Sequence, residues 1–147
     1  FWDRLPMAVA FMSLLAAVIS ERVTTKTGNP ALLMLVAYGM WSVFFWYLGE
    51  LQGRGDLRPY AFAQYYPIAA ILLLIRLFPP RYSRTGDLVS VMGWYALAKA
   101  VEVLDREVYA IGGMASGHTL KHLVAAIAVF WIVRMLRKRE PVSAAVT

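Results

Sequence analysis

The 147-residue chain is 60% hydrophobic and 16% charged, has no Cys, and carries a formal net charge of +6. Soluble domains run at about 45–50% apolar and about 25% charged, so this chain holds more apolar surface than a water-soluble core of its length can hide. The composition excludes a disordered chain, a disulfide scaffold and any Cys-ligated metal site, and predicts an integral membrane protein.

The chain opens on Phe1-Trp2-Asp3-Arg4, with neither an initiator Met nor a charged signal region. The apolar run that follows exceeds a signal h-region of about 7–15 residues and has no small-residue cleavage site, so the expectation is a chain starting inside a longer protein. A membrane-crossing helix needs about 20 predominantly apolar residues. Five spans meet or approach that length, at about 5–22, 29–49, 59–78, 87–104 and 115–135. The second is uncharged, and the third is uncharged over 59–75 but contains Pro67, a kink that lipid-embedded helices tolerate. Lys99 and Glu102 lie in the fourth span, and His118, Lys121 and His122 in the fifth. These spans predict an all-α fold, a multi-span transmembrane helix bundle forming one integral-membrane domain over 1–147.

Turn signals separate the spans: Thr-Gly-Asn-Pro at 27–30, Gly-Arg-Gly-Asp at 53–56, Pro-Pro-Arg-Tyr at 79–82 and Gly112-Gly113. Trp and Tyr gather toward span ends, as interfacial belts do. One side of the five spans collects nine Lys and Arg (Arg22, Lys26, Arg76, Arg81, Arg84, Arg134, Arg137, Lys138 and Arg139) and the other four (Arg4, Arg54, Arg58 and Arg106). The positive-inside rule therefore predicts a cytoplasmic C-terminus, with Asp3, Asp105 and the start of the last span toward the outer face. Basic residues so distributed do not point to nucleic acid, and the basic tail suits anionic lipid head groups.

His118 and His122 are the only histidines, four apart on one helix, so both rings stack on one face a turn apart, as in helical zinc sites. The plainer reading is that each hydrogen-bonds a neighbouring helix or lies at the wet end of its span. Two ligands are too few for catalytic zinc, which takes about three protein ligands and leaves a position for water. Asp3 reads as an N-cap before Pro6, and also as a carboxylate at the level of the His-bearing helix, able to accept a proton from water and return it to a leaving group. Lys99 and Glu102, three apart, read as an intrahelical pair. Lys121 points away from the His face, toward Glu102 or Asp105 or outward. Ser116 reads as a cap and Gly117 as a close-packing residue. No serine nucleophile with a base nearby, phosphate loop or dinucleotide fingerprint occurs.

Asp3-Arg4-Leu5-Pro6-Met7, Phe78-Pro79-Pro80-Arg81-Tyr82, Trp94-Tyr95-Ala96-Leu97-Ala98-Lys99 and Ser116-Gly117-His118-Thr119-Leu120-Lys121-His122 together resemble bacterial members of the alkaline ceramidase family, over nearly the whole chain. That family belongs to a group of seven-pass membrane hydrolases that includes the adiponectin-type receptors. The resemblance implies five spans of seven, in a bacterial inner membrane. It implies a zinc ion held by three histidines, with His118 and His122 as two ligands and Asp3 as the carboxylate that orients or deprotonates the attacking water. The third His and a Ser would belong to a helix before Phe1.

The activity so implied is zinc-dependent hydrolysis of the amide of a ceramide-like lipid to a free fatty acid and a sphingoid base. Its partners would be that substrate and membrane lipids. The rival readings are a non-enzymatic receptor or lipid-binding protein on the same scaffold, and a small proton-coupled transporter using Lys99, Glu102 and the histidines.

Overall fold

The computed structural model describes residues 1–106, 110 and 116–142, and among them the chain is helical with no strand. The chain divides into two compact units, Phe1–Arg81 and Tyr82–Thr147. The Gly112-Gly113 turn signal lies outside the described residues.

The first unit is a three-helix bundle of α1 (Arg4–Arg22), α2 (Thr25–Leu51) and α3 (Arg58–Leu77), each packing on the other two. Ala8, Val43 and Tyr60 form the buried centre near one end, flanked by Phe1 and Leu5. Small residues let the helices approach. A Cβ on Gly39 would stand 3.2 Å from the Ala8 carbonyl oxygen, so Gly39 marks where α2 touches the α1 backbone. Many large apolar side chains face outward along the same helices, among them Leu33, Met34, Phe45, Leu48, Phe62 and Leu73. Such a surface matches hydrocarbon rather than water.

The Thr-Gly-Asn-Pro signal at 27–30 is not a turn. The reversal between α1 and α2 takes only Val23 and Thr24, and α2 runs through Pro30. Thr24 has an extended backbone, its hydroxyl accepts the Lys26 N–H at 3.3 Å, and the Thr27 hydroxyl donates to the Thr24 carbonyl at 2.9 Å. With the cap set there, Pro30 forfeits a single helix bond near the start of α2, where its fixed φ suits the helix. The Gly-Arg-Gly-Asp signal is a turn: Gly53 takes φ 69°, and the Arg54 N–H donates to the Gly49 carbonyl at 2.8 Å. Asp56 then accepts the Arg58 backbone N–H at 2.9 Å and pairs with its guanidinium at 2.6 Å.

At the opposite end of this bundle two arginines cap each other's helices. Arg22 of α1 donates to the carbonyl of Phe78, the C-cap of α3, at 3.0 Å. Arg81 donates to the carbonyl of Val23, the C-cap of α1, at 2.7 Å. Carbonyls orphaned at both helix ends are thus satisfied by cations that the helix dipole favours there.

The second unit is an antiparallel hairpin of α4 (Thr85–Val103) and α5 (Gly117–Lys138). Near the start of α4, Asp87 accepts the Trp131 indole N–H at 3.3 Å and pairs with Arg84 at 2.6 Å. The chain on either side of the hairpin is zipped by an antiparallel bridge between Tyr82 and Pro141 and by the Ser83 N–H donating to the Glu140 carbonyl at 2.8 Å. Arg84, at the N-cap of α4, takes a left-handed φ of 73°.

Where the sequence predicts five spans, four helices among the described residues are long and apolar enough to cross a membrane: α1, α2, α3 and α5. The fourth predicted span is a helix, α4, but Asp87, Lys99 and Glu102 fall within its 19 residues.

Candidate metal centre

The first turn of α5 begins with a residue suited to start it. Ser116 has an extended backbone and its hydroxyl accepts the Thr119 N–H at 3.2 Å. A second cap comes from outside the helix: the Asp105 carboxylate accepts the His118 backbone N–H at 2.9 Å. Gly117 permits this approach. A Cβ there would overlap the Val101 carbonyl and stand 2.7 Å from the Asp105 Cα, so the two backbones meet at this residue. The Ser116 cap and Gly117 close packing read from the sequence are both present.

One turn further, Lys121 is buried against α4, its side chain 8% exposed, and donates to Glu102 at 2.8 Å. Glu102 also pairs with Lys99, so one carboxylate joins two ammonium groups. Of the two carboxylates the sequence offers to Lys121, Glu102 takes it while Asp105 holds the His118 backbone. This charged network covers the polar groups of the α4–α5 contact and fixes which face of α5 looks at α4: Gly117, Lys121, Ala128 and Met135 form the buried stripe.

His118 and His122 lie on the adjacent, exposed face. Their rings stand edge to face at 80°, with centroids 4.9 Å apart, and the two Nε2 atoms converge to 3.3 Å. Two nitrogens on one tetrahedral zinc, each about 2.0–2.1 Å from the metal, stand about 3.3–3.4 Å apart. The pair therefore fits a shared zinc as two of its ligands, and the same separation lets one neutral ring donate to the other. Among the described residues no group of three or more His, Cys, Asp or Glu side chains is placed to hold a metal.

Asp3 lies in the first unit, at the N-cap position of α1, and is exposed. It is not the side-chain cap that the sequence suggests. Its backbone is already helical, φ −77° and ψ −34°, and its carboxylate makes no cap hydrogen bond. The Phe1 carbonyl instead accepts the N–H groups of Arg4 and Leu5, at 3.0 and 3.1 Å, so the chain enters the helix through a turn one step earlier. Arg4 anchors that entry, its guanidinium lying 4.4 Å from the Trp46 ring centroid and 5.1 Å from that of Tyr60. Phe1 packs on Phe44 and Tyr47, with centroids 5.2 and 4.9 Å away. Asp3 is thus carried on a firmly held helix start, with a carboxylate that the helix does not use as a cap.

Asp105 is the residue whose part in this site the sequence reading missed. Its one signal is the three-residue spacing from Glu102, which puts both carboxylates on one side of the α4 end. No protein-family model, curated protein or solved structure matches the chain.

Proposed function

We propose that the chain acts in zinc-dependent hydrolysis of the amide bond of ceramide-like membrane lipids, releasing a fatty acid and a sphingoid base. One observation carries the reading: the Nε2 atoms of His118 and His122 meet at 3.3 Å on an exposed face of an apolar helix, where polar side chains are costly and mark function by default. The resemblance to alkaline ceramidases supplies the reaction and the substrate class. His118 and His122 would hold the metal through their Nε2 atoms. Zinc, when bound, polarises an amide carbonyl and lowers the pKa of water toward about 7.

The resemblance, rather than any placement, assigns Asp3 the proton. Its carboxylate takes the proton from the attacking water and returns it to the amide nitrogen as the C–N bond breaks, so the products are a carboxylic acid and a free amine. The apolar outer surfaces of the helices suit a substrate that arrives from the bilayer.

The test is zinc content and lipid-amide turnover of the detergent-purified full chain. About one zinc is expected per chain, lost in His118→Ala and in His122→Ala, with turnover abolished by chelator. Asp3→Asn should keep the metal and lose about 100-fold or more in rate, the scale of a general acid–base contribution. Folded protein without zinc overturns the reading. The Lys99–Glu102–Lys121 chain of charges favours one alternative, proton-coupled transport; it predicts pH-driven flux in liposomes that is indifferent to chelator.

A further inference from the structure

His118 occupies the second position of α5, in the turn of a helix that frays most readily, and that turn begins with Gly117, among the weakest helix formers. A metal ligand placed there needs its backbone held by something other than the helix. Asp105, 13 residues earlier in the chain, does this: its Oδ1 accepts the His118 N–H at 2.9 Å. A carboxylate at a helix N-terminus is favoured both by charge-assisted hydrogen bonding and by the helix dipole.

Two further contacts make the hold rigid. The backbones of α5 and of the segment carrying Asp105 touch at Gly117, with no room for a Cβ. Lys121, three residues beyond His118, is tied to Glu102, three residues before Asp105. One turn of carboxylates therefore grips one turn of α5 at two points, which fixes the rotation of the helix about its axis. His122 gains its register from the second turn, whose backbone bonds are all internal. For His118 the register depends on Asp105.

We infer that Asp105 is a positioning residue for the metal pair, holding the His118 backbone so that its Nε2 meets that of His122 at metal-ligand spacing. The inference rests on the zinc reading above. Partners that hydrogen-bond a ligating side chain typically cost about 10- to 100-fold in metal affinity when removed, and a hold on the ligand's backbone is expected to act on that scale.

The experiment measures zinc affinity of the detergent-solubilised full chain by chelator competition, with zinc alone as the probe. Amide hydrogen exchange at His118 is read in the metal-free protein. Asp105→Ala should weaken zinc about 10- to 100-fold and speed exchange at His118. Asp105→Asn, whose side-chain carbonyl still accepts the N–H, should recover most of the affinity. Ser116→Ala removes the other cap of the same turn, at Thr119, and should weaken zinc far less than Asp105→Ala. Unchanged affinity in Asp105→Ala overturns the inference, as does an equal loss in Ser116→Ala, which would assign the effect to general fraying. A wild-type chain that folds but takes no zinc overturns the amidase reading, and the inference with it, and is distinguished by the absence of binding in every variant.

Discussion

Gly117 shows how one missing side chain sets the site. On an exposed helix, replacing Gly by Ala stabilises by up to about 1 kcal/mol. Here the added Cβ meets the Val101 carbonyl and the Asp105 backbone. Gly117→Ala is therefore expected to destabilise, by about 1–3 kcal/mol, as overpacking does. Unfolding in mixed micelles reads the sign, and a stabilised variant would refute the close approach. In the first unit, Asp56 makes a different test. The side-chain hydrogen bonds from Arg58, and then the Arg58 backbone N–H, hold its carboxyl down to about 2. A depressed carboxyl pKa adds stability that is complete above the unfolded value, near 3.9, and is lost as pH falls through about 2. Carbon-detected NMR should find Asp56 still ionised at pH 3, and Arg58→Ala should return its midpoint to the ordinary carboxylate range. The His118–His122 spacing is legible in sequence because helical geometry is local. The bond from Asp105 is not, because it exists only once the hairpin has closed.

At the scale of the element, charges inside apolar helices are tolerated only where a second helix answers them. The i,i+3 pairing of Lys99 and Glu102 could be read from spacing. The contact from Lys121 depended on which side of α5 faces α4, a matter settled by Gly117 and the buried stripe below it. Glu102→Gln leaves two ammonium groups beside a neutral amide and is expected to cost about 2–3 kcal/mol, the scale of a hydrogen bond to a charged group. Lys121→Met leaves Glu102 still paired with Lys99 and fills the same space with apolar atoms, so it should cost clearly less. Unfolding of both variants checks the order, and the reverse order would place the network's centre on Lys121. The crossed contacts of Arg22 and Arg81 follow the same rule: each cation stands where another helix runs out of donors. Composition marked these arginines only as part of a basic side.

For the molecule as a whole, hydropathy alone leaves α4 short of a span while α5 qualifies. The hairpin changes that assessment. Asp87 meets Trp131 at one end and Glu102 meets Lys121 at the other, so α4 runs the length of the apolar part of α5. A membrane crossed by α5 is then expected to be crossed by α4 as well. Together with the nine-to-four bias of basic residues, this predicts a specific labelling pattern. Single cysteines at Lys26 and Lys138 should react with impermeant reagents only from the cytoplasmic side, and cysteines at Arg54 and Arg106 only from the outside. Labelling of cysteines at Arg84 and Arg106 from one side would show that α4 does not cross.

Sequence by itself determined the helical, membrane-spanning class, the number of helices among the described residues and the facing histidines. Each of these follows from composition or from a 3.6-residue period, which neighbours along the chain suffice to set. Tertiary structure alone decided that Thr24 rather than the Gly-Asn-Pro run makes the first reversal, that Asp3 does not cap its helix, and that Asp105 rather than Lys121's other neighbour secures the His118 turn. Those outcomes turn on which donor reaches which acceptor across helices, and that geometry is fixed only when the close approaches at glycine bring backbones together.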